Sequence, residues 1–216
     1  MPGQTADVIV VGAGNAAFCA ALAAQEQGAR VVMLEAAPEE ESGGNSRFTA
    51  GSIRVVYNGV DDIKTLVPDL TPGEIETTDF GAYTADQFFD DMARVTQHRA
   101  DPDLVELLVT KSFESLNWMR NKGVRLIPIY GRQAFKIDGK FKFWGGLTVE
   151  SVGGGPGLIA MLTDSAKKRG RPSAGWMSSV SITIGVSTSS AATLAATLRN
   201  TLPSSRSRLR TPASRV

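Results

Sequence analysis

A chain of 216 residues accommodates one domain, or one and a fraction, with a real buried core. Its 42% hydrophobic and 21% charged content is that of a soluble globular protein, and no apolar run reaches the roughly 18 residues of a membrane span. Met1–Thr5 lacks the basic and apolar regions of a secretory signal, one cysteine excludes an internal disulfide, and one histidine beside it argues against a metal site, so a cytoplasmic protein without metal is expected.

The net charge of +1 conceals an uneven distribution. All 22 acidic residues precede position 171, whereas residues 171–216 hold six Arg, eleven Ser, six Thr and no acid. The arginines are scattered singly, which argues against a nucleic-acid arm. The composition fits a disordered low-complexity end, or a coding sequence that changes frame or origin near Gly170. Residues 1–170 are therefore expected to form the domain and residues 171–216 an aberrant Ser/Thr/Arg-rich tail. Within that tail, Val180–Val186 alternates as a strand able to pair with an exposed edge.

The first 36 residues carry the strongest pattern. Asp7–Val11 is a β-branched run that reads as a buried strand, Gly12-Ala13-Gly14-Asn15-Ala16-Ala17 follows, and an alanine-rich helix runs to Gln27 and stops at Gly28. Val31–Leu34 is a second strand with Glu35 at its end. Strand, glycine turn, helix, strand and acid make the dinucleotide-binding βαβ unit of a Rossmann-like α/β fold. Gly12 permits the tight turn, and Gly14 lets backbone approach a pyrophosphate. Ala17 keeps helix and strand close. The helix N-terminus, through Asn15, Ala16 and Ala17, offers N–H groups to phosphate. Glu35, 23 residues past Gly12, suits a ribose diol. Cys19 in the helix reads as a packing residue.

About ten residues on, Ser42-Gly43-Gly44-Asn45-Ser46-Arg47-Phe48-Thr49-Ala50-Gly51 is a loop of small donors suited to a second side of a cofactor. This stretch resembles the fumarate reductase and succinate dehydrogenase flavoprotein family, and within it the FAD-dependent tricarballylate dehydrogenase branch, over residues 6–170. The resemblance implies FAD as cofactor, with Gly43, Gly44, Asn45, Ser46, Ala50 and Gly51 among its contacts beside the βαβ residues. It also implies oxidation of tricarballylate to cis-aconitate, hence a small tricarboxylate or dicarboxylate substrate and an electron-accepting partner that reoxidises FAD.

Downstream, Thr84 and Gln87 form a capping-box pattern ahead of Phe88, Met92 and Val95 at helical spacing, with His98 at the end in a solvent-facing or packing role. Asp101-Pro102 opens another helix that Gly123 closes, its core face predicted as Val105, Leu108, Val109, Ser112, Leu116 and Met119. Val124–Ile129 is a strand candidate. Gly153–Gly157 precedes a short helix ending at Lys167-Lys168-Arg169; the glycines serve either close approach to flavin or substrate, or a hinge. In the resembling family this helix leads directly into a strand, where here Arg171-Pro172-Ser173 stands. Family members are expected to be much longer, with a cap domain carrying the substrate-binding and proton-transfer groups. The FAD-binding domain is thus expected to be incomplete at its C-terminal side, and no catalytic residue is assigned. A non-catalytic flavin-binding fragment and a small NAD-dependent dehydrogenase are the rival readings.

Overall fold

The computed structural model describes residues 6–169 and the backbone of residues 181–184. In chain order, β1 (Val8–Val11) turns at Gly12 into α1 (Asn15–Glu26), which ends at Gln27 before Gly28, and β2 (Val31–Glu35) returns parallel to β1. Positive φ at Gly12 (102°) and Gly28 (81°) makes both reversals possible. A single helical turn, α2 (Gly44–Arg47), lies inside the segment expected to be loop, followed by β3 (Ser52–Ile53). Next come α3 (Val60–Leu66), α4 (Pro72–Thr77), β4 (Thr78–Asp79) and α5 (Ala85–Thr96). The Thr84–Gln87 capping box is present, and Thr71 with Glu74 makes a second one on α4 that the sequence reading did not pick out.

Asp101 caps α6 (Pro102–Asn121) by accepting from the N–H groups of Asp103 and Leu104. After it come β5 (Leu126–Pro128), α7 (Tyr130–Gln133), β6 (Ala134–Ile137) and β7 (Lys140–Phe143), the last two joined by Asp138-Gly139. Both turn residues have positive φ, 51° and 82°, as a two-residue hairpin requires. β8 (Val149–Ser151) and α8 (Gly154–Arg169) lead to β9 (Ser181–Ile184).

Three small sheets result. β1, β2 and β9 are parallel, with β2 central; β8 lies between β3 and β5, antiparallel to both; β7 lies between β4 and β6. One core joins them. Phe18, Ala21 and Leu22 of α1 meet Val31 and Met33 of β2 and Leu162 and Ala166 of α8, all essentially solvent-free. Each large apolar side chain so buried contributes about 1.5–3 kcal/mol. Tyr57 bridges two sheets: its hydroxyl donates to the Phe80 carbonyl at 2.6 Å and accepts from Thr148 at 3.0 Å. At the far end of α6, Trp118 Nε1 donates to Glu26 at 2.9 Å and Lys122 pairs with the same carboxylate, fixing α6 to α1.

Three expectations need correction. β1 is not wholly buried: Ile9 and Val11 are 45% and 81% exposed, because they point to the face opposite the one from which Val8 and Val10 pack on the core. Val95 and Leu108 point outward, 70% and 46% exposed, since helical spacing fixes direction but not what lies opposite. The glycines from Gly154 onward open α8 itself rather than a loop before it. The alternation expected within Val180–Val186 is borne out at Ser181–Ile184, which pairs with β2, Glu35 opposite Ile184. The remainder of the tail reading lies outside the described residues.

Candidate cofactor site

Parallel pairing sets the site's geometry. Val11 lies opposite Leu34, and Gly12 N–H donates to the Leu34 carbonyl at 2.7 Å, so the glycine turn and Glu35 emerge at the same end of adjacent strands. α1 begins there with Gly14 as N-cap, no capping side chain and no acid in its first turn. Ala16 and Ala17 lie in the first turn of α1, where helix N–H groups have no acceptor one turn back. A side chain at Gly12 would project into open space, and one at Gly14 would point at Gly43 O (3.4 Å) and Ser46 Oγ (3.5 Å). This is a cradle that side chains at either glycine would fill, and it fits a pyrophosphate.

The second wall is the Gly43–Ser46 turn. Ser46 Oγ accepts from Asn15 N–H at 3.1 Å, seating α2 against the start of α1 across 31 residues of chain. Gly43 has φ 120°, and Ile159 of α8 lies so close beneath it that a Cβ would sit 3.0 Å from the isoleucine side chain. Gly44 and Asn45 are exposed. Glu35 is oriented by its own backbone: Ala36 and Ala37 N–H groups donate to Oε1 at 2.8 and 3.0 Å, and Oε2 takes no hydrogen bond among the described residues.

The structure therefore brings together Gly12, Gly14, Asn15, Ala16, Ala17, Glu35, Gly43, Gly44, Asn45 and Ser46. Ala50 and Gly51 stand at the other end of the segment, against β8 and α8: Ser151 N–H donates to Gly51 O at 2.9 Å, and a Cβ on Gly51 would overlap Ser151. Within the triple glycine, Gly155 packs on backbone. Gly155 N–H donates to Thr49 O at 2.9 Å, and a Cβ there would collide with the carbonyls of Ser46, Arg47 and Thr49. α8 thus starts with its backbone pressed onto the backbone of the cofactor turn. The sequence reading missed Gly155, Thr49 and Ser151 as supports, although unbroken glycine at a helix start signals close backbone approach.

Other titratable groups make contacts within the chain. Cys19 is half-buried and packs against the core, and burial pushes its thiol up to about 11. Arg54, three residues past Gly51, lies 5.2 Å over the Tyr83 ring and 3.5 Å from Asp91. Tyr83 donates to Asp91 at 2.7 Å; burial holds its phenol up, while Arg94 holds Asp91 down. The cluster braces Gly145 and Gly146, which lie against the Tyr83 ring. His98 is exposed, as expected. Among the described residues, no helix is long and apolar enough to cross a membrane.

Comparison with known proteins decides which nucleotide fits. The family model described as FAD binding domain matches residues 7–182. The chain belongs to that family. FAD is therefore its cofactor, not NAD. The match runs beyond Gly170 and takes in the start of β9. Fumarate reductase (cytochrome) of Shewanella frigidimarina is 29% identical over 170 residues, covering 78% of this chain and 26% of the relative. Urocanate reductase of Eggerthella lenta is 30% identical over 129 residues, 56% of this chain and 18% of the relative. The open conformation of a flavocytochrome c3 fumarate reductase superposes with a TM-score of 0.55 at 27% identity, over 84% of this chain and 27% of that one. The chain spans about a quarter of the length of the fumarate reductases it matches.

Proposed function

We propose that this chain holds the FAD of a dehydrogenase or reductase of the fumarate reductase and succinate dehydrogenase type. The Ser46–Asn15 hydrogen bond carries the reading: it sets a second glycine-rich wall on the helix N-terminus, beside Glu35. In this proposal Gly12 and Gly14 admit the pyrophosphate, Ala16 and Ala17 N–H groups bind it, Glu35 Oε2 accepts from the ribose diol, and Gly43–Ser46, Ala50 and Gly51 enclose the flavin side. FAD supplies the two-electron acceptor.

The reaction is proposed to interconvert single and double carbon–carbon bonds next to carboxylates, as the fumarate in the relatives' names suggests. The finer reading, tricarballylate to cis-aconitate in the cytoplasm, rests on the Gly43–Ser52 segment and needs a partner to reoxidise FAD. No described residue is assigned the carboxylate clamp or the proton acceptor; these are proposed to lie in the length of the relatives that this chain does not match. The exposure of Val11 favours a second reading, a flavin-binding piece without turnover.

Calorimetric titration of FAD and NAD into the purified chain tests the first reading, with Gly14→Val as the blocked control. FAD binding lost in the variant is the expected result, and tight NAD binding with no response to FAD would overturn it. Dye reduction with tricarballylate by the FAD-saturated chain, abolished by Gly14→Val, would overturn the placement of catalysis outside it.

A further inference from the structure

Between α1 and α6, beside the Trp118–Glu26 hydrogen bond, lies an open groove of about 810 Å³. α1 lines it with Asn15, Cys19 and Ala23, one turn apart, and α6 with Leu104, Leu107 and Leu108. These leucines are 64%, 58% and 46% exposed, so the groove is an apolar face that no described element covers. Its charged lining groups are paired: Lys111 with Glu114, and Arg54 with Asp91. The groove therefore fits an apolar occupant with little charge of its own.

We propose that the groove is filled by residues 190–202 of this same chain, docked as a helix. Ala191, Leu194, Ala195, Leu198 and Leu202 recur at helical spacing and share one face, with Thr193, Thr197 and Asn200 on the other. Ser190 stands where an N-cap belongs, and Pro203 where a helix must stop. Arg199 is the segment's one charge, and its position falls beside the apolar face rather than within it. The lengths agree: residues 191–202 as a helix extend about 18 Å, against about 21 Å from Leu104 to Trp118 along α6. The tether agrees as well. Ile184 lies opposite Glu35, so the chain leaves β9 at the cradle end of the sheet, the end at which Asn15 opens α1. β9 and β1 stand two strand spacings apart, about 10 Å, and residues 185–190 reach about 20 Å when extended. A segment so tethered meets the groove at an effective concentration that a separate chain does not match. The proposal does not require bound FAD, so its test is run without it.

Limited trypsin digestion of the full chain reads the docking directly. Cleavage after Arg199 should be at least tenfold slower than after Arg206, which lies beyond Pro203. Leu194→Asp with Leu198→Asp should bring the two rates together, and so should Leu108→Asp in the groove wall with an unchanged circular dichroism spectrum. Thr193→Asp with Thr197→Asp, on the opposite face, should keep the protection within twofold. Cys19, the single cysteine, supplies a second readout from inside the groove. Under mild oxidation Ala195→Cys should form an intramolecular disulfide with Cys19 in at least tenfold the yield of Thr193→Cys. Equal cleavage at Arg199 and Arg206 in the wild type, protection that survives the Leu194 and Leu198 substitutions, or equal disulfide yields would overturn the proposal. Protection that disappears on dilution would replace it with the tail of a second copy.

Discussion

Gly155→Ala sets two effects of opposite sign against each other. In an ordinary helix start, alanine for glycine stabilises by about 1 kcal/mol. Here the new Cβ would stand 2.6 Å from Thr49 O and 2.8 Å from Arg47 O, and would overlap Ser46 O. All three are backbone atoms that cannot rotate aside. Overpacking of this kind costs about 1–3 kcal/mol. If the turn retreats, the 2.9 Å bond from Gly155 N–H to Thr49 O is lost as well, about 0.5–1.5 kcal/mol. The contact wins over the propensity, and a net destabilisation of roughly 1–3 kcal/mol is expected. The retreating turn carries Ser46 away from Asn15, so FAD affinity should fall about tenfold, or 1.4 kcal/mol. Urea denaturation should show a lower midpoint with an unchanged slope, and calorimetry should show the weaker FAD binding. Gly14→Ala is the contrast: its Cβ meets neighbours at 3.4 and 3.5 Å, ordinary contact, and its urea midpoint should stay put. A Gly155→Ala chain with wild-type midpoint and wild-type FAD affinity would refute the claim that α8 holds the cofactor turn.

Glu35→Ala should weaken FAD binding by about 1.5–3 kcal/mol, the worth of a hydrogen bond to a charged group, with little change in stability; equal affinity for the two chains in calorimetry would remove Glu35 from the site. Tyr57→Phe strands the Phe80 carbonyl and the Thr148 hydroxyl in the core, and should lower stability by about 1–3 kcal/mol in denaturant titration. Arg30 holds Asp7 well below the usual carboxylate range through side-chain and backbone hydrogen bonds. Because the folded pKa is the depressed one, that stabilisation is complete above the unfolded value of about 4 and is lost as pH falls below it. The stability gap between the wild type and Asp7→Asn should therefore be flat from pH 5 to 8 and shrink below pH 4; a gap that widens on acidification would contradict the pairing.

What could be read from the sequence was what is local. β1, α1 and β2 follow from a β-branched run, two glycines, alanines and a second run within 36 residues, and α6 from Asp101, Pro102 and Gly123. The helix through Ala85 was signalled by a cap four residues long. What escaped depends on distant partners. Nothing near Val11 shows that the face of β1 it points to is uncovered, and nothing near Leu108 shows that the opposite surface is open. Ser46 was picked for its hydroxyl, but that this hydroxyl meets Asn15 is a property of the folded chain. Gly155 was noticed as part of a flexible-looking run, whereas its smallness answers three carbonyls over a hundred residues away. The Asp138-Gly139 hairpin was within reach, since Asp-Gly between alternating apolar residues is a strong turn signal.

The placement of α8 has a consequence for how the cofactor site comes into being. Its first turn, at Gly155, presses on the Ser46 turn, and the strand after it, β9, pairs with β2 up to Glu35. Both walls of the cradle, written in the first 50 residues, are thus completed by residues 154–184. During synthesis from the N-terminus, both walls leave the ribosome long before α8 and β9, with only the Ser46–Asn15 hydrogen bond between them. Contacts of such sequence separation form late and slowly. If these walls bind FAD as proposed, flavin arriving early would meet them unbraced by α8 and β9, so flavin loading is expected to close assembly rather than to begin it.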